Sequence, residues 1–409
     1  MKIEKVEPIL LTLPSKWAYG TLDHCFSFIR VTTDSGLVGY GETLLGYYTP
    51  DLVPTLVNHF RGVVEGQNPF EINRLWQDMH VKAVRWGHVG PAITVLGAIE
   101  IALWDILGKA LQTPVYQLLG GLAHERMRCY GSAGGGLAYP IERSLDYFKK
   151  LTDQGFTAIK VGQGYFGQEP PTTISALVDL EREKIEAVRK ALGDDIDLMM
   201  DPAAPFSRAP WSGDVALRVT QAIDPYHLLW MEQPVLQTNV DDYVRIRQIC
   251  STPLAAGENG TTLHDLKPFF EKRAIDVAQP DSIWCGGISE CMKMVAAAEA
   301  HDMRVAPHCF SGAVGMAANY HVAFASRAIF IVEYPTASNP VMRNLLEQTF
   351  RFEDGYLYPP DTPGLGIEIP AELIEKYPLK AGSGRSHAKT PFPRPFPRGW
   401  NLSTESDRS

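Results

Sequence analysis

The chain has 409 residues, 45% of them apolar and 21% charged, which suits a globular protein with a large core and room for a barrel plus a second domain. Asp plus Glu number 47 against 38 Lys plus Arg, and the net charge of −9 argues against a nucleic acid or an anionic membrane as partner. A small acid stays open as substrate, because local cations decide that. None of the six cysteines sits in a CxxC pair, which speaks against a zinc site. The N-terminus alternates charged and apolar residues, no apolar run approaches a membrane span, and the thiols read as reduced, so the expectation is a cytoplasmic protein.

Residues 1–43 read as a β-meander, with strands at Ile9 to Leu13, Phe26 to Thr33 and Leu37 to Gly41 and a turn at Asp34-Ser35-Gly36. Two aromatic, Gly-containing loops, Lys16 to Gly20 and Leu44 to Tyr48, read equally as surface turns or as lids that close over a ligand. Ala92 to Leu111 is apolar nearly all round, which predicts a buried helix stopped by Pro114 and Gly120-Gly121.

From Arg126 strands and helices alternate. Arg128 to Tyr130 and Ala158 to Val161 open the series, and a Gly- and Pro-rich insertion, Gly162 to Pro171, precedes a helix with Ile185, Val188 and Leu192 on one face. Four further apolar runs close on an acid, at Asp201, Glu232, Glu258 and Asp281, and two more close on His308 and Glu333. Their spacing matches the pitch of about thirty residues that one strand–helix unit of an eight-fold barrel takes. The expected fold class is therefore α/β, with a parallel sheet closed into a barrel and these residues at its catalytic mouth. Past residue 350 the alternation stops. The turns Glu353 to Tyr356 and Pro363 to Gly366 lie in a segment expected to return to the N-terminal domain, and residues 381–409 read as a tail.

Asp201, Glu232 and Glu258 close successive strands. Three converging carboxylates repel one another unless a cation lies between them, and hard oxygen donors without His or Cys suit Mg²⁺. Taken singly, each acid could instead cap the next helix or pair with a base. Lys160 ends the second strand, across the expected barrel from His308, and could hold a substrate carboxylate, shuttle a proton or bridge to one of the acids. His308 and Asp281 end neighbouring strands, so the carboxylate can bond one ring nitrogen and raise the basicity of the other, which makes His308 the candidate general base. Glu333 reads as a substrate hydrogen-bonding group or a structural acid.

The order Lys160, Asp201-Glu232-Glu258, Asp281, His308 and Glu333 resembles the enolase superfamily, and within it the mandelate racemase subgroup. The stretches Gly97 to Asp105, Trp230 to Pro234, Gly257-Glu258-Asn259 and Gln279-Pro280-Asp281 support the likeness, which covers about residues 1–380. The resemblance implies a modified (β/α)7β TIM barrel over residues 126–350. It implies an α+β capping domain over 1–125, completed by about 351–380. It further implies Mg²⁺ on Asp201, Glu232 and Glu258, a His308–Asp281 dyad that removes a proton next to a carboxylate, and a homo-oligomer.

One departure matters. The family often carries Lys-x-Lys on the second strand, and here the run is Lys160-Val161-Gly162. Gly162 cannot move a proton, Tyr165 is a poor base with a phenol pKa near 10, and the position two past Asp201 is Ala203. Without an opposing base, racemisation is disfavoured and β-elimination is favoured. The expected activity is a Mg²⁺-dependent hydro-lyase that takes an aldonic or aldaric acid to a 2-keto-3-deoxy acid. The alternatives are a racemase, epimerase or cycloisomerase with an unrecognised second group, and a non-catalytic metal-binding relative. Specificity is expected in the two aromatic loops and the insertion.

Overall fold

A computed structural model describes residues 1–17, 20–132, 141–162, 171, 173–202, 211–336 and 339–384. Ala18-Tyr19, most of the insertion with Tyr165, Ala203 and the tail past Gly384 lie outside them. Contacts divide the chain into two compact units. Of the described residues, one unit holds those in 1–129, 257–270 and 278–384, and the other those in 130–256 and 271–277.

The first unit opens with an antiparallel sheet in the order β1 (Ile3–Trp17), β2 (Gly20–Thr33), β3 (Val38–Thr43). The β1–β2 register runs from Ile3 opposite Thr33 to Trp17 opposite Gly20, so the described ends of the first aromatic loop are paired strand residues. The second is no open turn: it forms the helical turn α1 (Leu45–Tyr48), with Leu45 and Tyr47 buried. Helices α2 (Leu52–Val64) and α4 (Pro91–Ala110) pack on the sheet, and α3 (Ile72–Gly87) packs against both helices. Ile29, Val31, Val57, Phe60, Leu75, Leu96 and Ile99 belong to the core they share.

Helix α4 is buried nearly all round, as its composition predicts. It is also long and apolar enough to cross a membrane, which corrects the expectation that no run reaches that length; its apolar faces are spent on the core instead. The strand β3 can lie against it because Gly39 and Gly41 have no side chain. A Cβ on Gly41 would stand 1.7 Å from the Ala98 carbonyl oxygen.

Two acids on α4 account for the stretch 97–105. Glu100 accepts from the Ile288 and Ser289 amides at the start of the helix Ile288–Ala300, and from the Trp104 indole. Asp105 accepts from the Tyr40 and Leu365 amides and pairs with Lys109 at 2.8 Å. Burial raises both carboxyls, Glu100 to about 7.

The second unit carries the parallel ladder of the end of β4 (Met127–Ser132), β5 (Ala158–Gly162), β6 (Asp197–Asp201), β7 (Trp230–Glu232) and β8 (Leu254–Ala256), paired in that order. Its strands are apolar runs because they are buried: Ile159, Leu198, Met199, Trp230, Met231 and Leu254 are inaccessible to solvent. Between them lie helices at Ile141–Asp153, Ile174–Leu192, Gly213–Ile223 and Val240–Ile249. Thr173 and Ser212 supply N-cap oxygens to two of these. Ile185 and Val188 are buried, as the helical period requires, and Leu192 is half-buried.

Short strands β9 (Val277–Ala278), β10 (Arg304–Val305) and β11 (Val332–Pro335) follow. In the first unit the Ala306 amide donates to the Ala278 carbonyl, and Val305 bridges to Ile329 in parallel. The turn at Asp354-Gly355, with φ of 50° and 78°, closes a hairpin of β12 (Phe352–Glu353) and β13 (Tyr356–Leu357). The hairpin pairs with Met127 and Arg128, and the chain then returns along Asp105, Thr113 and β1.

Candidate active site

In the second unit, Lys160, Asp201 and Glu232 converge. The parallel register sets Gly162 opposite Asp201, so the Lys160 side chain, two residues earlier, lies within reach of the acids that end the next two strands. Its Nζ donates to Glu232 Oε1 at 3.0 Å and stands 3.7 Å from Asp201 Oδ2. Glu232 is 1% exposed, and its other oxygen accepts from the Trp230 indole at 3.0 Å. Tyr130 completes the surround, edge-on to Trp230 and 5.7 Å beneath the Lys160 ammonium. Two carboxylates sharing one cation are an arrangement that oxygen-seeking divalent ions also accept.

In the first unit, Glu258, Asp281, His308 and Glu333 come together. None of these ends its strand: Glu333, expected at a strand end, is the second residue of β11. Glu258 lies two residues past β8, and Asp281 and His308 three past β9 and β10. The ladder stops short because Gly257 adopts φ of 131° and because prolines, which lack an N–H, stand directly before Asp281 and His308. Asp281 is also the N-cap of the helix Ser282–Cys285, its Oδ1 accepting from the Ile283 amide at 3.1 Å. The Asp281 side chain thus both caps a helix and bonds the imidazole.

His308 Nδ1 lies 2.7 Å from Asp281 Oδ2, and Nε2 lies 3.5 Å from Glu258 Oε2. In the neutral ring a carboxylate at Nδ1 places the proton there and leaves the Nε2 lone pair for chemistry. Burial alone would lower the imidazole pKa. The negative charge of Glu258, the hydrogen bond to Asp281 and the charge of Glu333 outweigh it and raise the group to about 10. Glu333, within β11, accepts from the Cys309 amide at 2.9 Å and so ties down the residue after His308. Among the described residues, no three His, Cys, Asp or Glu side chains gather closely enough to cage an ion.

Several residues beside the dyad were not legible as functional. Phe310 has its ring 6.5 Å from His308, 5.7 Å from Tyr47 and 5.8 Å from His24, and Trp284 meets Tyr48 edge-on. The aromatic turn α1 therefore reaches the segments that carry His308 and Asp281. Glu42 on β3 accepts from the Gly312 and Gly315 amides at 2.6 and 2.7 Å, holding the start of the helix Ala313–Phe324. Asn319 within that helix bonds to Asp281 and to the His308 carbonyl. A polar residue inside an apolar helical run, such as Asn319, is the one sequence signal that could have drawn attention.

A parallel strand–helix series bearing a Lys, acids and a His at or just past its strand ends, behind an α+β N-terminal segment, defines a barrel enzyme of the modified (β/α)7β type with a capping domain. Family models agree: residues 2–120 match the mandelate racemase / muconate lactonizing enzyme N-terminal domain, and residues 145–373 match the enolase C-terminal domain-like family. The chain belongs to the enolase superfamily, in its mandelate racemase / muconate lactonizing enzyme branch.

It is 32% identical over 383 residues to a D-galactonate dehydratase of Pectobacterium atrosepticum, covering 91% of this chain and 94% of that one. It is 34% identical to another from Verminephrobacter eiseniae, over 85% and 89% of the two chains. Among solved structures, the 3,6-anhydro-D-galactonate cycloisomerase of Zobellia galactanivorans superposes with a TM-score of 0.80 at 26% identity, covering 92% of this chain and 99% of that one. An enolase from Agrobacterium radiobacter, described as a putative galactarate dehydratase with Na and L-malate bound, does so at 0.81 and 25%, over 93% and 95%. Members of the superfamily generally use Mg²⁺.

Proposed function

We propose that this chain is a Mg²⁺-dependent acid-sugar dehydratase acting on D-galactonate or a close aldonic or aldaric acid, with His308 as the base. The observation that carries the reading is the His308–Asp281 pair at 2.7 Å, with Nε2 turned away from its orienting carboxylate. The dehydratases at 32% and 34% identity support the reaction class.

His308 Nε2 takes the proton from the carbon next to the substrate carboxylate, and the electrons of that C–H bond move into the acid. The β-carbon–oxygen bond then breaks as the carbon–carbon double bond forms. The imidazolium returns its proton to the leaving hydroxyl when both groups lie on one face, releasing water. The enol left behind tautomerises to the 2-keto-3-deoxy acid. Lys160 adds positive charge where the substrate carboxylate gains electron density. Gly162 leaves β5 without an opposing base two residues past Lys160, which favours elimination over racemisation.

Asp201, Glu232 and Glu258 are the proposed ligands of Mg²⁺. Their hard oxygens suit it, and Asp201 and Glu232 already share one cation in Lys160. Bound there, the ion supplies Lewis-acid stabilisation of the growing negative charge and offsets Glu258, the carboxylate that most raises His308. Six buried free thiols support a reducing, cytoplasmic setting, and family membership supports a homo-oligomer.

The test is His308→Asn, assayed with D-galactonate and Mg²⁺ for 2-keto acid formation. Loss of turnover by at least about 10²-fold is expected. Dehydration continuing near the wild-type rate rules out His308 as the base. A product of unchanged mass, formed without loss of water, would instead favour a cycloisomerase like the Zobellia neighbour.

A further inference from the structure

Asp281 can orient His308 only if the carboxylate is itself held. Its Oδ2 faces the imidazole, and its Oδ1 accepts from the Ile283 amide and from Asn319 Nδ2 at 2.8 Å. The same Nδ2 donates to the His308 carbonyl oxygen at 3.1 Å. Asn319 Oδ1 accepts from the Ser282 amide at 2.8 Å. This amide orientation is forced, because a flipped Asn319 would set its oxygen against two acceptors and its NH₂ against an N–H donor. One fully buried side chain therefore joins the backbone on either side of the pair to the Asp281 carboxylate.

The helix that carries Asn319 is fixed on several sides. Glu42 holds its first amides. Tyr320 donates to the Glu333 carbonyl at 3.0 Å. His321 Nδ1 accepts from the Tyr116 amide at 3.2 Å, and its other nitrogen lies 3.3 Å from the Leu365 carbonyl oxygen. Residues 319, 320 and 321 thus tie five separate segments to one helical turn. Asn319 is 0% exposed, so it does not touch substrate.

We propose that Asn319 is the positioning residue of the His308–Asp281 pair. It blocks rotation of the Asp281 carboxylate, holds the His308 backbone at a set distance from it, and thereby aims Nε2. The proposal rests on the reading of His308 as the base.

The experiment is a double-mutant cycle of Asn319→Leu with Asp281→Asn, assayed on D-galactonate with Mg²⁺. It is run beside His308→Asn and a ¹H NMR search for the low-field Nδ1–H proton of His308. In the wild-type background Asn319→Leu should lower kcat by about 10–100-fold, the usual effect of removing a histidine's orienting partner. KM should stay within a few-fold and the low-field proton should be lost. In the Asp281→Asn background the same change should cost little more, because the charged carboxylate that Asn319 orients is already gone. If Leu does not fold, Asn319→Ser enters the same cycle. Additive losses, or an intact low-field proton with kcat within about twofold of wild type, overturn the role of Asn319. The low-field proton is read without substrate, so that arm stands even if D-galactonate is not turned over. A His308→Asn enzyme that still dehydrates overturns the base assignment instead, and the two failures are distinguishable.

Discussion

Glu42 offers the most exposed test of how the first unit holds the His308 segment. Its carboxyl is 2% exposed, and each oxygen accepts one of the backbone amides that begin the helix Ala313–Phe324. Those amides have no partner within the helix, so Glu42→Ala strands two buried donors at about 1–3 kcal/mol each. Release of the carboxyl's own desolvation returns part of this, leaving an expected loss of about 2–4 kcal/mol. Glu42→Gln keeps one acceptor and should cost less. Urea denaturation gives the loss, and hydrogen exchange at Gly312 and Gly315 locates it. A loss under about 1 kcal/mol with unchanged protection of those two amides would refute the clamp.

The pH dependence follows with a definite sign. Burial raises Glu42 from 4.5 to about 8 against the pull of the Gly315 and Gly312 amides. The folded state therefore binds more protons than the unfolded state between those values. The contribution of Glu42 is fully present below about pH 4.5 and is lost as pH rises towards 8, at up to about 1.4 kcal/mol per unit. Subtracting the Glu42→Gln profile from the wild type should isolate that slope. A flat difference across the window sinks the assignment.

Lys160→Met should destabilise metal-free protein by about 3–5 kcal/mol, because Glu232 is left charged and buried. Adding Glu232→Gln to it should recover much of that loss in denaturant melts, and full additivity of the two changes would contradict the pairing. Removal of divalent cations with EDTA should abolish turnover, and Mg²⁺ should restore it. Mg²⁺ should also raise Tm by mass action. Asp201→Asn and Glu258→Gln should each shrink that rise, and an undiminished rise in either would remove it from the ligand set.

Much of the architecture was legible because periodicity and strand-end chemistry are local. The apolar run of α4, the alternation from Arg126 and the Asp-Gly turn at 354–355 declare themselves within a few residues. So do the candidate base and its orienter, because one barrel unit separates them and neighbouring strands bring such positions together. The lengths of the strands were not legible. Asp281 and His308 were expected at strand ends and stand three residues beyond, since pairing stops before the prolines.

The roles of Glu42, Glu100, Asp105 and Asn319 belong to the tertiary structure alone. Glu42 meets the Gly315 amide across 273 positions, Glu100 meets Ile288 across 188, and Asp105 meets Leu365 across 260. A buried carboxylate or amide is tolerable only where donors and acceptors converge on it. Nothing in the residues beside it in the chain specifies that convergence. The order of chemical groups along the strands was therefore decided by the sequence itself, and the scaffold that aims them was decided by contacts that exist only once the chain has folded.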